Sequence, residues 1–419
     1  MRRLAVDVTP LRASRDLRLL LAGECLTGLG TQAALVALPF QLFTQTGSAF
    51  LTGLLGAVEL VPIIGAALYG GAIADRMDRR RLLLLVQIGL VACAGSLAAG
   101  ALAGEPPVWL LYLLGALLAG FGSVEGVTRT ALVPNLVAPE HLRGALALSF
   151  GLFTLMAVVG PAAGGLLIAV AGVEGAYLFD AASCLAMVAA AYAMNPQPPI
   201  GGSDPDLGIG RAIGEGLRFV RRNNALKGSF AIDLLAMTFG MPRALFPVLA
   251  LTVYDAGAAG TGVLYAAVSA GATVAALTTG WLSHARRLGR IVIYAVVVWG
   301  LAIAAAGLMT SLWPAAAMLA VAGAADSVSA VCRSTINQTI TPDALRGRMS
   351  SVFMLVVTSG PRLGDVESGV VASASSARFA VVSGGLACLA GVLVVLVAFP
   401  ALLAYDAERT GEHTVDPVS

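Results

Sequence analysis

The sequence predicts an all-α polytopic membrane protein with twelve transmembrane helices in two six-helix, pseudo-symmetric halves. Three observations support this fold class. Hydrophobic residues make up 58% of the 419 residues and charged residues only 12%, about half the charged share of soluble domains. Long apolar runs recur from one end of the chain to the other. The second half of the sequence also repeats the first at a spacing of about 205 residues.

Each apolar run is long enough for one membrane crossing, because a helix of roughly 20 residues spans the hydrocarbon core. Only helices and closed barrels satisfy the backbone within lipid, and the alternation typical of barrel strands is absent. The first run is too long for a signal peptide, so it is predicted to be a retained span. The twelve predicted spans cover about residues 17–42, 49–74, 81–103, 107–128, 145–171, 175–194, 228–252, 260–283, 290–310, 314–337, 349–372 and 378–404.

Basic residues predict the orientation of these spans. Of the 26 Lys and Arg residues, 23 fall in the N-terminus, the C-terminal tail or the loops of one side. Arg378 lies on the other side, and Arg243 and Arg362 lie within spans. This count assigns Arg129 and Arg333 to the loops of the basic side. The positive-inside rule then places both termini in the cytoplasm.

The internal repeat divides the chain into two related halves. Glu24 corresponds to Asp233 at a spacing of 209 residues, and Arg129 corresponds to Arg333 at a spacing of 204. Six spans followed by six in the same orientation form a parallel repeat, and transporters of this kind bind substrate between the repeats near the bilayer midplane.

The connection between the halves is predicted to be a cytoplasmic linker. It begins with Pro, Gly and Asp residues typical of a flexible segment, and Arg211 to Arg222 predict a short amphipathic helix on the membrane surface. The predicted organisation is an N-terminal half at 1–194, the linker at 195–227, a C-terminal half at 228–404 and a cytoplasmic tail at 405–419.

Residues 70–81, GGAIADRMDRRR, connect spans 2 and 3. They resemble the loop signature of the major facilitator superfamily, except that Asp78 replaces a glycine. The resemblance implies a conformational latch between the halves, in which Asp75 meets the start of span 11. The alternative, an ordinary basic turn, accounts for the arginines but not for Asp75 or Gly71. The residues that match the latch are Gly71, Asp75, Arg76, Arg79 and Arg80.

Span 5 contains GPAAGG at residues 160–165. It resembles the signature that marks antiporting exporters in the same superfamily. Proline removes a backbone hydrogen bond and glycines allow close helix contact, so the alternative is a generic membrane kink. Ala116 stands where such exporters often carry an arginine in span 4, so coupling through that arginine is not expected. The matching residues are Gly160, Pro161, Gly164 and Gly165.

Three further segments, 131–149, 234–247 and 360–372, resemble a bacterial subgroup that exports enterobactin, macrolides and other drugs. The resemblance implies efflux of a siderophore or drug-like compound across the bacterial plasma (inner) membrane. Proton antiport with alternating access is the implied mechanism. Two alternatives stay open: a proton-coupled importer, and a non-transporting membrane sensor or scaffold with the same fold.

Ionisable residues within spans are costly and are therefore candidates for function. Glu24 and Asp233 occupy equivalent places in spans 1 and 7, which line the central cavity in this superfamily. They are the first candidates to bind a proton or substrate, and the alternative is a buried polar contact that fixes packing. The further candidates are Glu59, Arg243 and Asp326.

Other intramembrane charges have more specific expectations. Arg243 follows Asp233 by ten residues, too far to pair with it in a straight helix, so it is expected to hold an anionic substrate or neutralise another carboxylate. Arg362 and Asp365 are three residues apart and predict an ion pair. Glu125 and Asp180 are expected to reach water near span ends, and Glu367 has no assigned role.

The sequence lacks the motifs of ATP-driven pumps and membrane hydrolases, so no enzyme activity is expected. Its five cysteines and three histidines have no metal-site spacing, so neither a metal nor another cofactor is expected. The expected partners are a small-molecule substrate, protons and the lipid bilayer, without nucleic acid, and the expected state is a monomer.

Overall fold

Every regular element in the described part of the chain is helical, which confirms the predicted all-helical fold. The computed structural model describes residues 8–74, 76–198, 209–342 and 345–405. Its α-helices are α1 (Thr9–Ala13), α2 (Arg15–Thr46), α3 (Ala49–Ala74), α4 (Arg79–Leu102), α5 (Val108–Leu132), α6 (Leu142–Ala193), α7 (Ile209–Arg222), α8 (Asn224–Gly240), α9 (Phe246–Thr252), α10 (Gly257–Thr278), α11 (Leu288–Leu308), α12 (Leu312–Ile340), α13 (Arg346–Ala374), α14 (Ala377–Ala398) and α15 (Pro400–Leu403).

Each predicted span lies mainly within helical segments. Among the described residues, ten helical stretches are long and apolar enough to cross a membrane. One of them, Pro139–Ala193, contains two of the predicted spans. Helix α13 is not among the ten, since it carries three arginines and two acidic residues, but its 29 residues are ample for one crossing.

Helix α6 contains the turn between spans 5 and 6. Gly172 has φ 70° and ψ 177°, a left-handed backbone conformation that glycine adopts without steric cost. It divides α6 into a first arm, residues 142–171, and a second arm, residues 173–193. The two spans are therefore joined through a single non-helical residue.

Span 7 is interrupted, in contrast to the straight helix expected from the sequence. Helix α8 ends at Gly240, and Met241 and Pro242 are non-helical. A 3₁₀ turn, Arg243–Leu245, then leads into α9. Pro242 has no backbone N–H, so it supplies no donor to continue the ladder of α8. Arg243 consequently follows a break.

The chain divides into two compact units. Unit 1 comprises Met1–Gly47, Val58–Pro205 and Ala256–Ala266, and unit 2 comprises Ser48–Ala57, Asp206–Asp255 and Ala267–Ser419. Each unit thus includes a short segment from the other half of the sequence. In unit 1, α2 packs along α6, and α4 packs against α5 and α6. In unit 2, α11 packs against α12 and α14, and α8 packs against α13 and α14.

The chain that leaves span 6 is anchored in unit 1, although its composition predicts flexibility. The backbone N–H and side-chain amide of Asn195 both donate to Asp16 Oδ2 at 3.1 Å. Asn135 Nδ2 donates to the Pro198 carbonyl oxygen, also at 3.1 Å. These hydrogen bonds are made with the first turn of α2 and with the 3₁₀ turn after α5, so composition alone did not reveal them.

Helix α7 lies within the segment predicted to be an amphipathic helix. In unit 2 it packs against α13, where Arg348 Nη1 lies 2.6 Å from Glu215 Oε2. A Cβ added at Gly216 would lie 3.0 Å from the Arg348 carbonyl oxygen. One face of α7 is therefore held against the start of span 11, while Arg218, Arg221 and Arg222 are exposed.

Candidate functional site

The loop predicted to be a latch connects α3 to α4. Asp75 lies outside the described residues, so its contact with the start of span 11 stays a prediction. Arg76 is exposed. A Cβ added at Gly71 would meet no heavy atom of the described residues within 4 Å. Among the described residues, Gly71 is therefore not in close contact with another helix.

Two arginines of the predicted latch hold its loop against neighbouring helix ends. Arg79 is buried, and its Nη1 donates to the Ala131 carbonyl oxygen at 2.8 Å and to Asn135 Oδ1 at 2.6 Å. Arg80 Nη2 donates to the Tyr192 carbonyl oxygen at 2.6 Å, and its guanidinium lies 5.7 Å from the centre of the Tyr192 ring. Both arginines therefore have structural contacts within unit 1.

Asp78 forms the turn without the glycine of the superfamily signature. Its φ of −55° is accessible to any residue, and its Oδ1 accepts a hydrogen bond from the Arg81 N–H at 2.9 Å as the N-cap of α4. Its Oδ2 accepts from the Gln197 N–H at 2.8 Å, while the Arg79 N–H donates to the Gln197 carbonyl oxygen. Asp78 therefore both starts α4 and fixes the chain after span 6.

Replacing Asp78 with alanine should lower the free energy of unfolding by about 1 kcal/mol for the lost cap. The lost charged hydrogen bond to Gln197 should add about 1.5 kcal/mol. Asp78→Asn should lose less, because it keeps one acceptor oxygen. Thermal unfolding of the purified protein measures these losses. Arg81→Ala is the matched control, since its backbone N–H stays in place, and an equal loss there would contradict the assignment.

The GPAAGG segment lies in the first arm of α6 and contacts α2 through two glycines. A Cβ at Gly160 would lie 2.6 Å from Gln32 Cβ, and a Cβ at Gly164 would lie 2.6 Å from Ala33 Cα. The two helices therefore approach with almost no side-chain volume between them, as small residues permit in membrane proteins.

The last glycine of this segment contacts a different helix of unit 1. A Cβ at Gly165 would lie 2.6 Å from the Ala258 carbonyl oxygen and 2.8 Å from Gly262 Cα, both in the first part of α10. A Cβ at Gly262 would in turn collide with the Pro161 carbonyl oxygen. Gly165 and Gly262 thus form a backbone-to-backbone contact that excludes any side chain.

An apolar groove of about 420 Å³ lies beside the same segment. Its lining comes from α2 and both arms of α6 and includes Leu29, Gly164, Leu167 and Phe179. The candidate carboxyl and guanidinium groups are not part of this lining. The groove therefore offers contacts to apolar groups only.

Glu24 and Arg129 form an ion pair between spans 1 and 4 in unit 1. Arg129 Nε lies 3.7 Å from Glu24 Oε1, with 26% of the arginine side chain exposed and 2% of the glutamate side chain. Ser149 Oγ donates to Glu24 Oε2 at 3.4 Å. The Glu24 carboxyl group is therefore buried, whereas the Arg129 side chain is partly exposed.

Asp180 does not reach water, contrary to the expectation from its place near a span end. It is 2% exposed because it lies eight residues beyond the turn at Gly172 and faces the backbone of α2 at Gly30. Glu125, the other acidic residue expected at a span end, lies seven residues inside α5. It is half-buried and accepts a hydrogen bond from Gln87 Nε2 at 2.9 Å.

Asp233, Asp326 and Arg333 form the corresponding cluster in unit 2. Arg333 Nη2 lies 2.8 Å from Asp233 Oδ1 and 3.6 Å from Asp326 Oδ1. Arg333 Nη1 donates to Ser329 Oγ at 2.9 Å. Asp233 and Arg333 are 2% and 4% exposed. Asp233 Oδ2 accepts no hydrogen bond from the residues that the structure describes.

The two ion pairs occupy equivalent places in the repeat. Span 1 or 7 supplies the carboxylate, and span 4 or 10 supplies the arginine. Loop-charge counting missed both arginines as site residues. The assignment of Arg333 to a loop is wrong. Arg333 is buried within α12, seven residues before the helix ends at Ile340. The repeat itself pairs Glu24 with Asp233 and Arg129 with Arg333, and it was the signal that could have found them.

The remaining intramembrane candidates lie around the break in span 7 and in α3. Asp365 Oδ1 accepts a hydrogen bond from the Ala244 N–H, just after the break, at 3.0 Å. Arg362 Nη1 lies 3.9 Å from Asp365 Oδ2, and Arg243 interacts electrostatically with the same carboxyl group. Glu59 is buried in α3. The described part of unit 2 therefore places Asp365 beside both arginines.

Metal ions and thiol chemistry each require particular side-chain groups. Within the described ranges, no group of three His, Cys, Asp or Glu side chains is arranged to hold a metal ion. The five cysteines are free thiols, four of them buried. The charged groups described above are thus the candidates for binding or transfer.

Sequence comparison identifies the family of this chain. A family model described as transmembrane secretion effector matches residues 6–417. The enterobactin exporter EntS of Shigella boydii serotype 4 is 32% identical over 379 residues, which cover 86% of each chain. The enterobactin exporter EntS of Citrobacter koseri is 32% identical over 368 residues, covering 84% of this chain and 85% of the exporter.

Solved transporter structures share the fold. The nucleoside transporter NupG superposes with a TM-score of 0.75 at 12% identity, covering 92% of this chain and all of its own. A bacterial homologue of the human lysosomal transporter Spinster superposes with a TM-score of 0.69 at 16% identity, covering 96% of this chain and 98% of its own. At these identities the similarity is one of fold.

Proposed function

Because the chain belongs to the transmembrane secretion effector family of major facilitator efflux transporters, we propose that it exports a siderophore or drug-like molecule by proton antiport. In this proposal the halves at 1–194 and 228–404 rock against each other around the linker at 195–227. This motion alternates access to the substrate between the two sides of the membrane.

The observation that supports proton coupling is an excess of carboxyl groups over arginines in two clusters whose carboxyl groups are buried or half-buried. In the described part of unit 1, the cluster of Glu24, Glu125 and Asp180 contains one cation, Arg129. Burying net negative charge away from water is costly, and a bound proton removes that cost. Carboxyl groups that alternate between the two sides can therefore load protons on one side and release them on the other.

The cluster in unit 2 also has more carboxyl groups than arginines, two to one, and is the first candidate for proton binding. Asp233 and Asp326 share the single guanidinium of Arg333. Asp233 Oδ2 has no hydrogen-bond donor among the described residues, so this oxygen is the position at which a proton would be accommodated. Glu24 is the corresponding proton site of unit 1.

The substrate class follows from the relatives that cover most of the chain. Those relatives are named enterobactin exporters, and enterobactin is a catecholate siderophore. A lipophilic drug is the second candidate, because the subgroup that the sequence resembles includes drug exporters. The GPAAGG contacts of Gly160, Gly164 and Gly165 support export, since they build the close helix packing expected of antiporting exporters.

The remaining roles complete the proposed transporter. Gly71, Asp75, Arg76, Arg79 and Arg80 would form the latch between alternating states. Arg243, Glu59 and the Arg362–Asp365 pair would contact substrate or balance charge. We propose that the protein is a monomer in the bacterial plasma membrane. The loop charges favour an orientation with both termini and the tail at 405–419 in the cytoplasm.

Proton flux in proteoliposomes that contain an internal pH dye tests this function. Adding enterobactin, and separately a lipophilic cationic drug, should drive proton movement opposite to the substrate in the wild-type protein. Asp233→Asn should abolish that movement, because the amide keeps the volume but cannot carry the proton. Each proton that crosses 100 mV contributes about 2.3 kcal/mol, roughly a 50-fold substrate gradient.

The matched control is Glu105→Gln, which neutralises an exposed loop carboxylate and should leave proton flux unchanged. Labelled substrate distinguishes the alternatives. Protons and substrate that move in the same direction would identify a symporting importer. A protein that binds substrate without moving it would be a sensor or scaffold, and substrate movement without protons would exclude antiport.

A further inference from the structure

Asp180 is a buried residue in the second arm of α6, and no arginine of the described residues pairs with its carboxyl group. It is 2% exposed, and no described cation lies within ion-pair distance of it. The Ser183 hydroxyl donates to the Asp180 backbone carbonyl at 2.8 Å, not to its carboxyl group. The donor to Asp180 Oδ1 is the thiol of Cys184 at 3.8 Å, and thiols are weak donors.

The sequence makes room for this carboxyl group against the backbone of span 1. A Cβ added at Gly30 would lie 2.9 Å from Asp180 Oδ1 and from Asp180 Cα, and it would collide with Ser183 Oγ. An ionised carboxylate pressed against a glycine backbone, with a thiol for its donor, is poorly compensated. A protonated carboxyl group has no such charge and offers an O–H donor of its own.

Asp180 is connected electrostatically to the Glu24–Arg129 pair through Glu125. Glu125 interacts electrostatically with both Glu24 and Asp180. Arg129 lies one helical turn beyond Glu125 on α5, so the two share a face. The other described polar groups beside these carboxyl groups are Ser149, Tyr177, Ser183 and Cys184 on α6, and Gln87 on α4.

Asp180 and Glu24 lie at different levels along α2. Asp180 contacts α2 at Gly30, six residues beyond Glu24, which is about 9 Å further along the helix axis. Gln87 is fully buried on α4, and its Oε1 accepts no hydrogen bond from the described residues. A protonated Glu125 carboxyl group, whose Oε1 already accepts from this amide, would supply a donor at this position.

We propose that Asp180 is an inner proton-binding residue of unit 1 and that it exchanges its proton with Glu24 through Glu125. This inference rests on the proposed antiport function. In each step an O–H bond breaks on one carboxyl group and forms on the next carboxylate, so the proton is the sole species transferred. Arg129 balances the charge of Glu24 or Glu125 when one of them is ionised. The bound proton neutralises another carboxyl group of the three.

Infrared spectroscopy of the full-length protein in lipid nanodiscs at neutral pH tests this directly. The wild-type spectrum should contain the carbonyl stretch of a protonated carboxyl group, and Asp180→Asn should remove the intensity of one such group. Cys184→Ala, which removes the thiol donor and keeps Asp180, should shift the same band in frequency. Glu105→Gln, at an exposed position, should change nothing in this region.

The outcomes separate this inference from the proposed function. A band that is unchanged in both Asp180→Asn and Cys184→Ala would overturn the assignment of the proton to Asp180. If Asp180→Asn does not fold, the frequency shift in Cys184→Ala decides the question alone. A band that responds to the variants but not to added enterobactin would keep the proton on Asp180 and overturn its exchange during transport. Loss of enterobactin-driven proton flux in Asp180→Asn, with enterobactin binding retained, would support the exchange.

Discussion

Replacing Arg333 with methionine should lower the free energy of unfolding by about 3–5 kcal/mol, the range seen when one partner of a buried ion pair is removed. Arg333 is 4% exposed, and its guanidinium is 2.8 Å from Asp233 and 3.6 Å from Asp326. Methionine fills the same volume but leaves two carboxyl groups in unit 2 without their cation. Thermal unfolding of the purified protein in detergent measures this loss.

The repeat supplies the matched control, Arg129→Met. This arginine is 26% exposed and lies 3.7 Å from Glu24. Its removal leaves one buried carboxyl group without its cation and should cost less than Arg333→Met, about 1–3 kcal/mol. Combining Arg333→Met with Asp233→Asn should restore most of the stability, because one of the orphaned charges is also removed. Equal losses for the two arginine variants would show that burial does not distinguish the pairs.

Gly165→Ala should lower the free energy of unfolding by about 1–3 kcal/mol, the typical cost of overpacking. The added Cβ would lie 2.6 Å from the Ala258 carbonyl oxygen and 2.8 Å from Gly262 Cα. Both neighbours are backbone atoms, so α6 and α10 must move apart. Export of labelled substrate should fall together with the melting temperature, because the substitution disturbs the span that carries the exporter signature.

Gly151→Ala is the control within the same helix. A Cβ at Gly151 would meet no heavy atom of the described residues within 4 Å. Alanine should therefore stabilise α6 there by about 0.5–1 kcal/mol through its higher helix propensity. The two alanine variants are expected to have opposite signs. A stabilising effect at Gly165 would contradict the backbone contact between α6 and α10.

The helices of this fold could be predicted because membrane spans are local features of composition and length. Pro242 also marked the break in span 7 in principle, since proline cannot donate to the helical ladder. The gap between the predicted spans at 145–171 and 175–194 also marked the turn at Gly172, and Glu174 lies in this gap. The sequence did not show that a single left-handed residue makes the turn inside an otherwise helical segment.

The site could be predicted only in part, because ion pairs between helices depend on rotation and depth. The repeat related Glu24 to Asp233 and Arg129 to Arg333, but it did not show that each carboxylate faces its arginine. The burial of Asp180 depends on its contact with Gly30 in α2, more than a hundred residues earlier in the chain. The tether from Asp78 to Gln197 likewise joins two loops that are distant in sequence.

The contact between Gly165 and Gly262 has a consequence for biosynthesis. Residue 262 is translated 97 residues after residue 165, which takes roughly 5–20 s at the usual rate of about 5–20 residues per second. During that interval the nascent N-terminal spans are already synthesised, and Gly160 and Gly164 can pack against α2, but Gly165 has no partner. Completion of unit 1 therefore requires the ribosome to have passed the start of span 8. In a chain released at the linker, the surface at Gly165 that α10 covers would be exposed, and lipid or an insertion factor must cover it.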